Sequence, residues 1–129
     1  MTSLRVLVIE DNPLNLKLAR DTLQAQGFAT LEAGTARDGI ALAREKRPDA
    51  ILMDIRLPDI DGIKALGHLR ALPETRDIPV AAVTANAMKG DRERLLSAGF
   101  DDYIPKPIDV GLLPDQVRRL AARSPREIS

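Results

Sequence analysis

The chain has 129 residues, 44% of them apolar and 29% charged, with 19 basic side chains against 19 acidic ones. That is enough for one domain with a real core, and too apolar at zero net charge for a disordered chain. The charge balance, the 2% aromatic content and the lack of cysteine argue against a nucleic-acid or anionic-membrane binder and exclude disulfides, thiolate catalysis and cysteine-ligated zinc.

Leu4–Ile9, apolar except for Arg5, is the first predicted strand. Glu10 and Asp11 stop this run too early for a signal peptide or a membrane span, so a soluble cytoplasmic domain is expected. Asp11 and Asn12 can cap a following helix, and Pro13 suits its first position. Leu14/Leu18 and Leu16/Ala19/Leu23 recur at helical spacing, and Gly27 is a natural stop. Phe28–Ala33 alternates apolar and polar residues, as an edge strand does. Gly34-Thr35 opens a second helix, with Asp38 placed for a weak capping box and Pro48 beyond its end.

Ala50–Met53 is a fully apolar strand that runs straight into Asp54. Leu57-Pro58-Asp59 and Asp61-Gly62 are loop chemistry, and Ile63, Leu66 and Leu69 mark a third helix. Pro79–Val83 is another apolar strand, ending at Thr84. Ala87–Ala98 reads as a fourth helix closed by Gly99, Asp101–Ile104 as a short mixed strand. Leu113, Val117, Leu120 and Ala121 give the last helix its stripe. Gly111 and Pro114 disturb its start, so either Asp109 caps a distorted first turn or the regular helix begins nearer Leu113.

Five strand–helix units in succession predict an α/β fold with a five-stranded parallel sheet, covered by helices on both faces. The most apolar strands belong at the centre and the mixed ones at the edges. The doubly wound order 2-1-3-4-5 of a flavodoxin-like (βα)5 domain satisfies both requirements.

In such sheets ligands bind beyond the carboxyl ends of the strands. Those ends carry Glu10 and Asp11, Asp54, Thr84 and Lys106. Three crowded carboxylates repel one another, and a hard cation such as Mg²⁺ relieves the repulsion. A carboxylate held beside Mg²⁺ can attack phosphorus, while a lysine and a hydroxyl bind the phosphoryl oxygens that the metal leaves free.

Glu10-Asp11-Asn12, Leu52-Met53-Asp54-Ile55 with Leu57-Pro58 and Asp61-Gly62, Val83-Thr84-Ala85 and Lys106-Pro107 resemble the receiver domain of two-component response regulators. The resemblance runs from Leu4 to about Ala122. Residues 1–123 then read as a receiver and 124–129 as a short polar tail, with no output domain. Asn15, Gln26-Gly27 and Ala87-Met88-Lys89-Gly90-Asp91 are most similar to single-domain, DivK-like cell-division regulators.

The resemblance implies a phosphorelay switch rather than a metabolic enzyme, one that catalyses only its own phosphorylation and dephosphorylation. Asp54 is then the phosphoacceptor. Asp11, Asp54 and the Arg56 carbonyl ligate Mg²⁺, with Glu10 helping through water. Lys106 pairs with the phosphoryl group, aimed by a cis bond to Pro107. Thr84 closes onto a phosphoryl oxygen, and Tyr103 follows into the space vacated. The implied partners are a sensor histidine kinase or histidine phosphotransfer protein, and a downstream protein on the face of the fourth helix, fifth strand and fifth helix. Neither nucleic acid nor membrane insertion is expected.

Three blander signals stand beside these. A phosphohydrolase of the Asp-x-Asp type needs a second acid where Arg56 stands. Asp59-Ile60-Asp61-Gly62 begins like a calcium loop but lacks the glutamate that would complete it. His68 has no titratable companion and reads as a surface residue.

Overall fold

The computed structural model describes residues 3–85 and 90–123. Five strands, β1 (Arg5–Ile9), β2 (Ala29–Ala33), β3 (Ala50–Asp54), β4 (Val80–Thr84) and β5 (Asp102–Pro105), alternate with five helices. These are α1 (Pro13–Ala25), α2 (Ala36–Lys46), α3 (Gly62–Ala71), α4 (Asp91–Ala98) and α5 (Leu113–Ala121). All strand pairs are parallel and the order is 2-1-3-4-5, as expected. Every residue of β3 and β4 is buried, whereas the outer strands β2 and β5 are partly exposed.

Side chains on a strand alternate between faces, and the core divides accordingly. Leu7, Ile9, Ile51, Met53, Val80 and Ala82 pack under α2, α3 and α4. Val6, Val8, Ala50, Leu52, Ala81 and Val83 pack under α1 and α5. Helix α2 lies so close to β1 that a Cβ on Gly39 would sit 2.4 Å from Ile9 Cδ1. No helix among the described residues is long and apolar enough to cross a membrane.

The helix ends follow local chemistry. Asn12, rather than Asp11, caps α1, its Oδ1 accepting from the Leu14 and Asn15 N–H groups at 2.9 and 3.1 Å. Thr35 Oγ1 caps α2 through the Asp38 N–H at 3.1 Å. Both alternatives for the last helix hold in part. Asp109 holds a separate turn, accepting the Gly111 N–H on Oδ1 and the Leu112 and Leu113 N–H groups on its carbonyl. The regular helix then begins at Leu113, where Pro114 occupies a first-turn position that needs no N–H. The expected start of the fourth helix at Ala87 and the polar tail lie outside the described residues, and the helix described begins at Asp91.

Candidate phosphoacceptor site

Strand register assembles the site. Val8 pairs with Leu52 and Ile9 with Met53, so one step further Glu10 stands beside Asp54. Alternation keeps both on the side of Val8 and Leu52. Asp11 follows where the chain turns into α1. One oxygen from each of Glu10, Asp11 and Asp54 lies within 4.8 Å of the others. Glu10 and Asp54 are buried, and Asp11 is exposed.

Lys106 comes from the far side of the sheet. Its N–H donates to the Thr84 carbonyl at 2.8 Å, which keeps the end of β5 against β4. The following bond to Pro107 is cis. The ammonium lies between the two buried acids, with Nζ 2.8 Å from Glu10 Oε1 and 3.0 Å from Asp54 Oδ2. The opposite Asp54 oxygen, Oδ1, accepts the Arg56 N–H at 3.0 Å, and Glu10 Oε2 accepts the Asn12 N–H at 3.2 Å. Both acids are therefore held on two sides.

One lysine cannot neutralise two buried carboxylates. Burial first, and the adjoining Asp54 second, push the Glu10 carboxyl from its ordinary 4.5 to about 7, although Lys106 and the Asn12 N–H pull it down. Burial alone would lower Lys106, but its contacts with Glu10 and Asp54 outweigh that and raise it. The metal-free site thus carries more negative charge than it can comfortably hold. Three carboxylates and no sulfur or imidazole form a donor set suited to a hard, oxygen-seeking dication.

Thr84 ends β4, buried, on the rim of the same cleft, which Glu10, Asp11, Asp54, Arg56 and Lys106 also line and whose volume is about 240 Å³. Tyr103 stands opposite Ala82 in β5, half-buried against the core under α2, α3 and α4. The structure thus gathers Glu10, Asp11, Asp54, Arg56, Thr84 and Lys106 around one cleft and sets Tyr103 one strand away. His68 is exposed on α3.

The loop acids that resembled a calcium site have other work. Asp61 Oδ1 caps α3 through the Lys64 N–H at 3.0 Å. Asp59 reaches across to α2, accepting the Ala36 and Arg37 N–H groups at 2.9 and 3.0 Å. Sequence reasoning missed that second contact because nothing local links positions 23 residues apart. Gly62 lets α3 start against the end of β3, since a Cβ there would lie 2.8 Å from Ile55 Cα and 3.2 Å from the Asp54 carbonyl oxygen.

The chain resembles known proteins along nearly its whole length. It is 50% identical over 105 residues to the polar-differentiation response regulator DivK of Brucella anthropi, covering 81% of this chain and 85% of that protein. Among solved structures it matches the receiver domain of the sensor histidine kinase PA1611 from Pseudomonas aeruginosa, which has a magnesium ion coordinated in its active-site cleft. The TM-score is 0.85 at 36% identity, over 94% of this chain and 99% of that one. The chemotaxis response regulator CheY4 of Vibrio cholerae shares the fold, with a TM-score of 0.86 at 22% identity over 92% of this chain and 99% of its own. The sequence model of the response regulator receiver domain matches residues 6–118, and with that extent of agreement the chain belongs to the response regulator receiver domain family.

Proposed function

We propose that this protein is a phosphorylatable switch in a cytoplasmic two-component phosphorelay, with Asp54 as its acceptor. The observation that carries the reading is the placement of Asp54. It is buried, 3.0 Å from the Lys106 ammonium, and within ligand-sharing distance of Glu10 and Asp11. An Asp54 oxygen forms a bond to phosphorus as the bond from phosphorus to a histidine nitrogen breaks, and that nitrogen departs on a histidine kinase or histidine phosphotransfer protein.

Glu10, Asp11, Asp54 and the Arg56 carbonyl are the groups that would hold Mg²⁺. When bound, the ion supplies positive charge that offsets the growing negative charge on the phosphoryl oxygens. Lys106, already beside Asp54 Oδ2, pairs with a phosphoryl oxygen. The Arg56 N–H on Oδ1 fixes the orientation of the attacking carboxylate.

Thr84 is the group that senses the result. Its hydroxyl turns toward a phosphoryl oxygen, and Tyr103 moves with the shifted end of β4. The face of α4, β5 and α5 passes the change to a downstream protein, in a role like that of the polar-differentiation regulators the chain resembles.

The test is to incubate the protein with a small phosphodonor, with and without Mg²⁺. One acid-stable, hydroxylamine-labile phosphoryl group that forms only with Mg²⁺ is the expected result. A hydroxylamine-resistant product, or equal labelling without the ion, would overturn the reading.

A further inference from the structure

Between Asp54 and α3 the chain passes through a loop, residues 55–61, that carries the Arg56 carbonyl. Its first residue stays on the sheet, the Ile55 N–H donating to the Val83 carbonyl at 3.2 Å, and beyond that, Asp59 apart, its hydrogen bonds are local. The Arg56 N–H donates to Asp54 Oδ1, the Gly62 N–H to the Ile55 carbonyl at 2.8 Å, and the Lys64 N–H to Asp61 Oδ1. Bonds of this kind shape the loop from within and do not reach α2. Leu57 is buried and the half-buried Ile60 packs against the same core, apolar contacts that hold the loop down without giving it direction.

Asp59 supplies direction. Its two carboxylate oxygens take the Ala36 and Arg37 N–H groups at 2.9 and 3.0 Å. Those are the first two residues of α2, and the third N–H, on Asp38, is already bonded to Thr35. A helix leaves its first four N–H groups without intrahelical partners, and its positive end favours an anion. Here the helix's own cap satisfies one of them and a carboxylate from the acceptor loop satisfies two. Burial works against this carboxylate's charge, but these N–H groups and those of Asp59 and Ile60 hold it below the ordinary range.

We infer that Asp59 is a positioning residue for the phosphoacceptor site, its two-pronged contact with α2 fixing the loop that sets the Arg56 carbonyl beside Asp54. This rests on the metal-ligand set proposed above. The contact ties the loop after β3 back to the start of α2, so the aim of the loop depends on α2 as well as on β3.

Mg²⁺ alone, titrated into isotope-labelled protein and followed by amide shifts, tests it. Wild type is compared with Asp59→Ala, Asp59→Asn and Thr35→Ala, each with its metal-free unfolding midpoint. Thr35→Ala removes a cap from the same helix without touching the loop. Asp59→Ala should weaken Mg²⁺ binding about 10-fold, as loss of an outer support for a metal site does. Asp59→Asn, which keeps one acceptor oxygen, should lose less, and Thr35→Ala should lose none although it is destabilised. Unchanged affinity in Asp59→Ala would overturn the inference, and so would an equal loss in Thr35→Ala, which would assign the effect to α2 stability. If Asp59→Ala does not fold, a folded Asp59→Asn that binds Mg²⁺ as tightly as wild type overturns it. Failure of the wild type itself to bind Mg²⁺ would instead remove the proposed function, and this inference with it.

Discussion

Stripped of divalent metal, the protein should lose stability as the pH is raised from weakly acidic to weakly alkaline. The perturbation acts on Glu10. In the folded state burial and the adjoining Asp54 hold its carboxyl at about 7, whereas in the unfolded chain it titrates near its ordinary 4.5. Between those values the folded protein keeps a proton that the unfolded chain has released. Unfolding then sheds a proton, so its free energy falls with rising pH across that window and levels off above it. At about 1.4 kcal/mol per pH unit, the span sets an upper bound of about 3–4 kcal/mol, a large part of the roughly 5–15 kcal/mol typical of a domain.

Other groups do not reverse the sign. Lys106 is raised above its ordinary 10.5, so its stabilisation persists through this window and is lost only in strong alkali. Glu74 is lowered by its own backbone N–H and by Arg44, so its stabilisation is in place above the ordinary carboxylate range and fades only at lower pH. Urea unfolding followed by circular dichroism, in EDTA at a series of pH values, measures the slope. Glu10→Gln keeps the shape and removes the titration, so it should flatten the profile and exceed wild type in stability on the alkaline side. A wild-type stability that is flat or rises between about pH 5 and about pH 8, or an unchanged slope in Glu10→Gln, would refute this electrostatic account of the site.

Three further outcomes follow from the geometry. Gly62→Ala forces a Cβ onto the Ile55 and Asp54 backbone, so it should cost about 1–3 kcal/mol and also slow phosphorylation by a small donor, read in parallel by denaturation and mass. If Thr84 senses the phosphoryl group as proposed, Thr84→Ala should still accept phosphoryl, but its α4 and β5 amide shifts should stay at their unphosphorylated positions, because a ligand shifts an equilibrium only through contacts that differ between the two states. Arg70 ties α3 to the opposite end of the sheet, donating to the Ile78 carbonyl at 2.6 Å and to Asp101 at 2.8 Å. Arg70→Ala should therefore cost about 2 kcal/mol in denaturant while leaving the phosphorylation rate unchanged.

The strands were legible because their burial is written in composition. Two wholly apolar runs ending in Asp54 and Thr84 can only be central parallel strands, and from their ends the rim residues follow. The register that brings Glu10 beside Asp54 adds only alternation to that. What the sequence could not show arises from contacts between distant parts of the chain and from local turns that leave no periodic mark. Asp59 looks like any turn acid until α2 is seen to present two N–H groups to it. Arg118 stays exposed on α5, and nothing in its local sequence shows that its guanidinium also lies 5.3 Å from the centre of the Phe28 ring while it pairs with Asp115 at 2.9 Å. Pro114 looked like an interruption because the turn held by Asp109, which delays the helix by a few residues, leaves no periodic mark. The Lys106-Pro107 motif marks Lys106 as a partner for a phosphoryl group, and its grip on both acids in the free protein depends on distances that no motif carries.

The position of the phosphoryl group decides whether Asp54 is the acceptor. Wild type and Asp54→Asn are treated with a small phosphodonor and Mg²⁺, weighed intact, and mapped by peptide after reductive trapping of the acyl phosphate. One phosphoryl group is expected on Asp54 in the wild type and none in Asp54→Asn. A wild-type label on any other residue, or full-yield labelling of Asp54→Asn, would contradict it.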